Sequence, residues 1–557
     1  MRTRYIILLC LVYAIAILLF APRAWSATST KVVGTLAQVS PTAKVEGAAT
    51  VSLLAAQNET ESFQVVLTAE GTALEGMRAT ASPLVSDSAT LPTNSVLLYR
   101  EEYLNLTKKS DGEGTTGLFP DALIPDVDIT GTKRNAFPFS VPKFENRVVW
   151  VDINVPDGQP EGTYTGTISF SGTNYASKVN VSITVVNVSL PATSSLRGAF
   201  DLNFNEICKA HVCSGDQGWN LWSLYAKTAL NNRVTIAKPY GEPPSVSFTK
   251  YAAPLYSGTA STVRPGARLA DTIVYQYSAS KVGAWKTEAA AGGYVDRISF
   301  HCDEIGTNVT LWTSCKNAYG VASTQWNNTA PSVGPLKLDV TITDKQRQWA
   351  LDYTVNGTKP FESLAKSITT LVPVVNRLHD KVGTYQGSQS AAYDVFKSGG
   401  GKLWTYTSCL SMGCSDAEDT NAYWTGWPSY GIDQPASEQR ATPWIVFNNG
   451  ASGEYYFETV KKLQTAWTNQ YNEGGNGDGT LFYPGTSARL GTGPDVPVES
   501  IRLKRIRDGR EDYELMVLAG KETALPITQA LFPTPYQTAV TQAQLDFARV
   551  QLFAAVM

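Results

Sequence analysis

Between residues 30 and 190 apolar and polar residues alternate with a period of two. The stretches ESFQVVLTA, NRVVWVDINV, GTYTGTISFSG and KVNVSITVV carry the pattern, are rich in Val, Ile and Thr, and are parted by turn segments such as PDGQPEG. Several such strands in one segment predict an all-β sandwich, taken here as residues 28–190. At 191–198 the alternation gives way to a polar, proline-bearing linker. Beyond it, strand-like KLDVTIT and GKLWTYTSC are interleaved with WALDYTV, FESLAKSITTLVPVVNRLHDKVG and GEYYFETVKKLQTAWTNQYNEG, whose spacing is helical. Strand alternating with helix predicts an α/β domain of the (β/α)8-barrel type with C-terminal helices over 199–557, so the chain as a whole is multidomain.

Near its end, SIRLKRIRDGREDYELMVLAGK (500–521) reads as an alternating strand that turns into a helix. Asp508 with Glu511 three residues on resembles a capping box, and Gly520 suits the stop. Most of the charges in this run read as a solvated helix start with a few internal ion pairs, and RDGREDYE as structural support for the closing helix of the barrel.

The first 27 residues change the compartment. Two early arginines, an apolar run from Ile6 to Ala21, Pro22 and then small residues have the layout of a secretory signal peptide cleaved after Ser26 or Ala27. An uncleaved membrane anchor is the competing reading. The expected location is therefore secreted, periplasmic or cell-surface. Of seven cysteines, Cys10 lies in that segment. The others fall in three close pairs, Cys208/Cys213, Cys302/Cys315 and Cys409/Cys414, and in an exported protein such pairs predict disulfides that pin loops. Only three histidines are present, His211, His301 and His379, and no zinc spacing occurs, so neither a metal nor another cofactor is expected. A net charge of −3 without a dense basic stripe gives no reason to expect nucleic acid as a partner.

Candidate chemistry centres on HCDEIG (301–306), at the end of the strand-like YVDRISFHC. On a regular strand Asp303 and Glu304 would face opposite ways, so they share a site only where the strand breaks into a loop. Two carboxylates held close push one pKa upward, which suits a general acid beside an orienting anion. Aromatic side chains are supplied nearby in sequence: Trp404 and Tyr406 on one face of KLWTYTS, then Tyr423, Trp424, Trp427 and Tyr430, and Tyr483 in GDGTLFYPG. Rings and carboxylates in one concave site suit a sugar. Trp444 and Trp467 read as core.

The segments AAQNETESFQVVL, PEGTYTGTISF, the Asp303–Glu304 pair, LWTYTSC, NGDGTLFYPG and SIRLKRIRDGREDYELM together resemble glycoside hydrolase family 123 and its uncharacterised bacterial relatives. The resemblance implies a β-sandwich followed by a (β/α)8-type barrel, and an exo-acting β-N-acetylgalactosaminidase that uses the 2-acetamido group of its own substrate as nucleophile with retention. Glu304 would then be the general acid/base and Asp303 the residue that orients and polarises the acetamido group, with Trp404, Tyr406 and Tyr483 as substrate-binding candidates. Ile305 stands where the family often has proline, which leaves the pair intact and the exact sugar open. Two alternatives remain: a carbohydrate-binding surface protein without turnover, and a glycosidase of a non-acetamido sugar with a protein nucleophile, for which Asp201 at the end of LRGAFDLNF is the candidate. Either way the expected partner is a glycan; no membrane contact beyond an uncleaved anchor is expected, and the oligomeric state is open.

Overall fold

The computed structural model describes residues 28–237, 245–269, 272–381, 387–409, 423 and 425–557. The expected signal segment 1–27, Cys414 and Trp424 lie outside them.

The period-two segments form the strands Thr60–Thr68, Asn146–Asn154, Gly162–Ser171 and Ala176–Ser189. They belong to two sheets, one of seven strands and one of five. Apolar side chains from both, among them Phe63, Val65 and Leu67 from one and Ile168, Phe170 and Val181 from the other, enter one buried cluster. That shared core is what alternation on each strand provides, since every second side chain faces inward. The seven-stranded sheet is not made from residues 28–190 alone. Its last two strands are Val496–Ser500 and Phe482–Gly485, and Glu499 pairs with Leu123 and Ser500 with Ala122.

A second seven-stranded sheet is wholly parallel and nearly closed. In chain order its strands are Arg197–Phe200, Thr272–Tyr275, Ile298–Cys302, Lys337–Val340, Thr370–Leu371, Lys402–Tyr406 and Gly453–Tyr456, and the last pairs with the first. Ile236 makes a further parallel bridge to Phe200. The Tyr275 hydroxyl reaches from one edge strand to Asp201, just past the other, at 2.6 Å. Parallel strands of this kind are covered on both faces, and Ile298–Cys302 is buried at every position. Helices such as Gly215–Asn231, Val309–Asn328 and Ala436–Asn448 lie between the strands in sequence.

Three expectations are corrected. GEYYFETVKKLQTAWTNQYNEG is not a helix: it opens with the sheet strand Gly453–Tyr456 and continues through a short 3-10 turn at Leu463–Thr465. FESLAKSITTLVPVVNRLHDKVG breaks after the short helix Glu362–Ser367 into the strand Thr370–Leu371. The charged run near the end does not begin as a strand and is not solvated. It is helical from Ile501 to Ala519, starts at Ser500, whose hydroxyl accepts from the Leu503 amide, and is buried from Ile501 through Met516; Gly520 does stop it.

The charges of that helix are satisfied by residues distant in sequence. Arg502 takes Asp121 in a two-pronged bond at 2.9 and 2.8 Å. Lys504 and Arg507 converge on Asp152 at 2.9 and 3.0 Å. Arg510 meets Glu454 of the parallel sheet at 2.8 Å, and Asp512 receives Arg440 at 2.8 Å and also Arg549. The helix thus ties the N-terminal sheet to the parallel sheet and to the last helix, Gln542–Val556. Gly509 marks its crossing with Ala436–Asn448: a Cβ there would stand 2.5 Å from the Arg440 carbonyl oxygen. The helix does buttress the parallel sheet, through ion pairs removed from water.

Candidate active site

The strand Ile298–Cys302 ends where Asp303 and Glu304 begin. Glu304 has φ of 42°, in the left-handed region that residues other than glycine rarely occupy. This turn breaks the alternation that would otherwise send the two carboxylates to opposite faces, and it is followed at once by the helix Val309–Asn328, whose start is capped by the Asn308 side chain. A Cys302–Cys315 disulfide joins the strand end to that helix. The second expected disulfide, Cys208–Cys213, is also formed.

Both carboxylates are tied to side chains from other strand ends of the same sheet, one adjacent and one two strands further round. Thr341, just beyond Lys337–Val340, donates to Asp303 Oδ1 at 2.9 Å, and its hydroxyl also accepts from the Glu304 amide. His301 Nε2 stands 3.5 Å from the same Oδ1. Tyr406, from the end of Lys402–Tyr406, donates to Glu304 Oε1 at 2.6 Å. Loss of hydration on this rim pushes the Asp303 carboxyl up, but His301 and Thr341 outweigh it and hold the group below its ordinary range. The Asp303 side chain is nevertheless 63 % exposed, so the anion remains open to a ligand.

Behind the pair, inside the sheet, Tyr455 stacks on His301 with ring centroids 5.0 Å apart, and its hydroxyl lies 3.3 Å from His301 Nδ1. Tyr275 meets the same imidazole edge-on at 5.4 Å. Trp404 packs on Tyr455 at 5.5 Å, and Trp404, Tyr406, Tyr455, Ile273 and Val372 form one cluster on the inward face. Asp201 lies at the end of the first strand, buried, with Tyr275 on its Oδ2.

The expected site residues therefore separate. Asp303, Glu304 and Tyr406 are brought together. Trp404 shares the inward face with Tyr406 but is buried one step below, where it supports Tyr455 rather than presenting a ring to solvent. Tyr483 is elsewhere: it is buried in the core of the N-terminal sheets, donates to Asp121 at 2.6 Å and stacks near Trp467, because its segment is a strand of that sheet. Trp427 and Tyr430 are core residues, Tyr430 bonding to Glu454. His301, Thr341 and Tyr455 were not anticipated. The signal for His301 was available, since H-x-D on a strand puts the imidazole and the first carboxylate on one face.

Residues 35–172 match the family model described as the glycoside hydrolase 123 N-terminal domain. The resemblance to glycoside hydrolase family 123 is thereby borne out. No curated protein matches the sequence. Among solved structures, a family 123 glycoside hydrolase from Clostridium perfringens, studied for glycolipid glycan hydrolysis, aligns over 95 % of this chain and 97 % of its own, with TM-score 0.65 and 12 % identity. At that identity the likeness is one of fold. A termite-gut GH10 xylanase containing a bacterial Ig-like domain (10 % identity, 83 % of this chain and 99 % of that one, TM-score 0.27) and a putative α-galactosidase from Bacteroides fragilis (9 %, 76 % and 75 %, TM-score 0.20) are too distant to carry an argument.

Proposed function

We propose that this protein is an exported retaining glycosidase of β-N-acetylhexosaminides, of the β-N-acetylgalactosaminidase type, built as a β-sandwich followed by a (β/α)8-type barrel. The observation that carries the reading is that two carboxylates adjacent in sequence reach the same mouth of a parallel sheet, each on its own hydrogen-bonding partner: Asp303 on Thr341 and Glu304 on Tyr406. The parallel bridge of Ile236 to the edge strand at Phe200 supports the barrel reading, and the disulfides accord with an oxidising compartment. No described helix is long and apolar enough to cross a membrane.

In this reaction Glu304 gives its proton to the glycosidic oxygen as the bond to the anomeric carbon breaks. The acetamido carbonyl oxygen of the same sugar attacks that carbon, forming an oxazolinium ion. Asp303, anionic, accepts the acetamido N–H and stabilises the positive charge as it develops, an electrostatic effect larger in the transition state than in the ground state. Glu304, now a carboxylate, takes a proton from the water that opens the ring, and configuration is retained. Because the nucleophile belongs to the substrate, no second carboxylate at about 5 Å is required.

The test is hydrolysis of a panel of chromogenic glycosides by protein starting at residue 28, with Glu304→Gln and Asp303→Asn beside the parent. Release from β-GalNAc that drops by about 10²–10⁴ in both variants supports the assignment. Activity confined to sugars without an acetamido group would sink it and turn attention to Asp201 as a protein nucleophile.

A further inference from the structure

Beneath the rim the inward face holds a chain of contacts that ends on Asp303. His301 is 1 % exposed and precedes Asp303 by two residues on the same side of the strand. Its Nδ1 faces the Tyr455 hydroxyl at 3.3 Å, and its Nε2 faces Asp303 Oδ1 at 3.5 Å. A phenol donating to Nδ1 leaves the proton of a neutral imidazole on Nε2, directed at the carboxylate. The ring cannot turn away from this arrangement, because Tyr455 covers its face and Tyr275 its edge. Thr341 donates to the same Oδ1, whereas Oδ2 has no hydrogen bond among the described residues. One oxygen is therefore held by the protein and the other left for a ligand.

We infer that His301, anchored from behind by Tyr455, is a positioning residue for Asp303 that fixes its rotamer and charge so that Oδ2 meets the acetamido group of the sugar. The inference rests on the reaction proposed above for its ligand, but not for its geometry. Several charged and titratable groups face the imidazole. Asp303 lies above it, with Tyr455 and Tyr275 alongside. Asp201 is reached through the hydroxyl of Tyr275. Asp339, its register partner on Lys337–Val340, is buried and has no hydrogen bond or ion pair among the described residues. Asp339 acts electrostatically on Tyr455, behind the imidazole, as well as on Arg197 and Lys337, which begin their strands at the opposite end of the sheet. Of these carboxylates, only Asp303 lies within ion-pair distance of the imidazole. The contact with His301 is also the largest influence that lowers the Asp303 pKa.

The experiment is a carbon-13 titration of the Asp303 carboxyl in protein labelled at aspartate, assigned with Asp303→Asn, run beside the pH profile of kcat/KM on a chromogenic β-N-acetylhexosaminide. In His301→Phe the Asp303 midpoint should rise by about one pH unit, and the acid limb of kcat/KM should move up with it. His301→Gln, which keeps an N–H donor, should restore most of the difference. Tyr455→Phe, which removes one hydroxyl and keeps the stacked ring, should give a smaller shift in the same direction and serves if His301→Phe does not fold. An Asp303 midpoint that stays put in folded variants, or a fall in rate uniform across pH, overturns the inference and leaves His301 a core side chain. If the parent protein hydrolyses no acetamido sugar, the proposed reaction falls while the carboxyl titration still decides the role of His301.

Discussion

Tyr406 and Glu304 belong to different strand ends, yet the phenol hydroxyl donates to the carboxylate at 2.6 Å. The bond fixes the longer of the two rim carboxylates, whose side chain would otherwise sample several rotamers. Tyr406→Phe keeps the ring in its inward-facing cluster and removes the hydroxyl that makes this bond. A loss of about 1 kcal/mol of positioning corresponds to roughly a fivefold to tenfold fall in kcat/KM, with the melting temperature unchanged. Steady-state kinetics on the best glycoside from the panel decide it, and an unaltered kcat/KM would make the contact incidental.

Gly509 sits mid-helix, where alanine is intrinsically the better residue by about 1 kcal/mol. Its missing Cβ is what lets the Arg440 carbonyl approach. Gly509→Ala should therefore destabilise by about 1–3 kcal/mol despite the helix propensity. Thermal unfolding of the two proteins measures it, and a more stable alanine variant would mean that the helices can part at no cost.

Arg510 and Glu454 are both fully buried and 2.8 Å apart. Removing the cation leaves a carboxylate in the core with Tyr430 and no charge partner. Arg510→Met should cost about 3–5 kcal/mol, and adding Glu454→Gln should recover part of it. Urea titrations of the single and double variants give the coupling directly; simple additivity would show that the two side chains do not depend on each other.

Glu101 is buried with neither carboxylate oxygen hydrogen-bonded, and burial, only partly offset by Arg505, pushes its pKa up to about 8. Unfolding exposes the group and returns it to its ordinary value near 4.3, so between these limits the native state binds the extra proton. Its contribution to stability is complete below the unfolded pKa, declines as pH rises through the window, and is lost above about 8. Glu101→Gln, which cannot ionise, should flatten the stability curve between about pH 4.3 and 8. Denaturant midpoints at several pH values test this, and parallel curves for the two proteins would remove Glu101 from the account.

Gly162–Ser171 and Ala176–Ser189 were legible because buried and more exposed positions alternate along them, so the period-two pattern survives in the sequence, whereas Thr60–Thr68 and Asn146–Asn154 are buried at nearly every position and are marked as strands by their valine-rich runs. The carboxylate pair was legible as a strand ending in a loop. What failed did so for a common reason: the partners lie far away in the chain. Arg502, Lys504, Arg507 and Arg510 look like a solvated face until Asp121, Asp152 and Glu454 are brought beside them. Tyr455 was lost inside GEYYFETVKKLQ, whose lysines and aromatics mimic helical spacing, although Gly453–Tyr456 is a strand buried on both faces. Tyr483 was grouped with the sugar-facing aromatics because sequence cannot reveal that its strand leaves the parallel sheet to join the other one.

That last detour has a consequence for biogenesis. The strand Gly117–Pro125 is paired with Val96–Leu106 on one side and receives its second neighbour only when Val496–Ser500 arrives, after all seven strands of the parallel sheet have left the ribosome. Until then the N-terminal half holds an open hydrogen-bonding edge that any extended segment could occupy. A chain that reaches its compartment unfolded escapes this hazard, since both halves of the sheet then become available together.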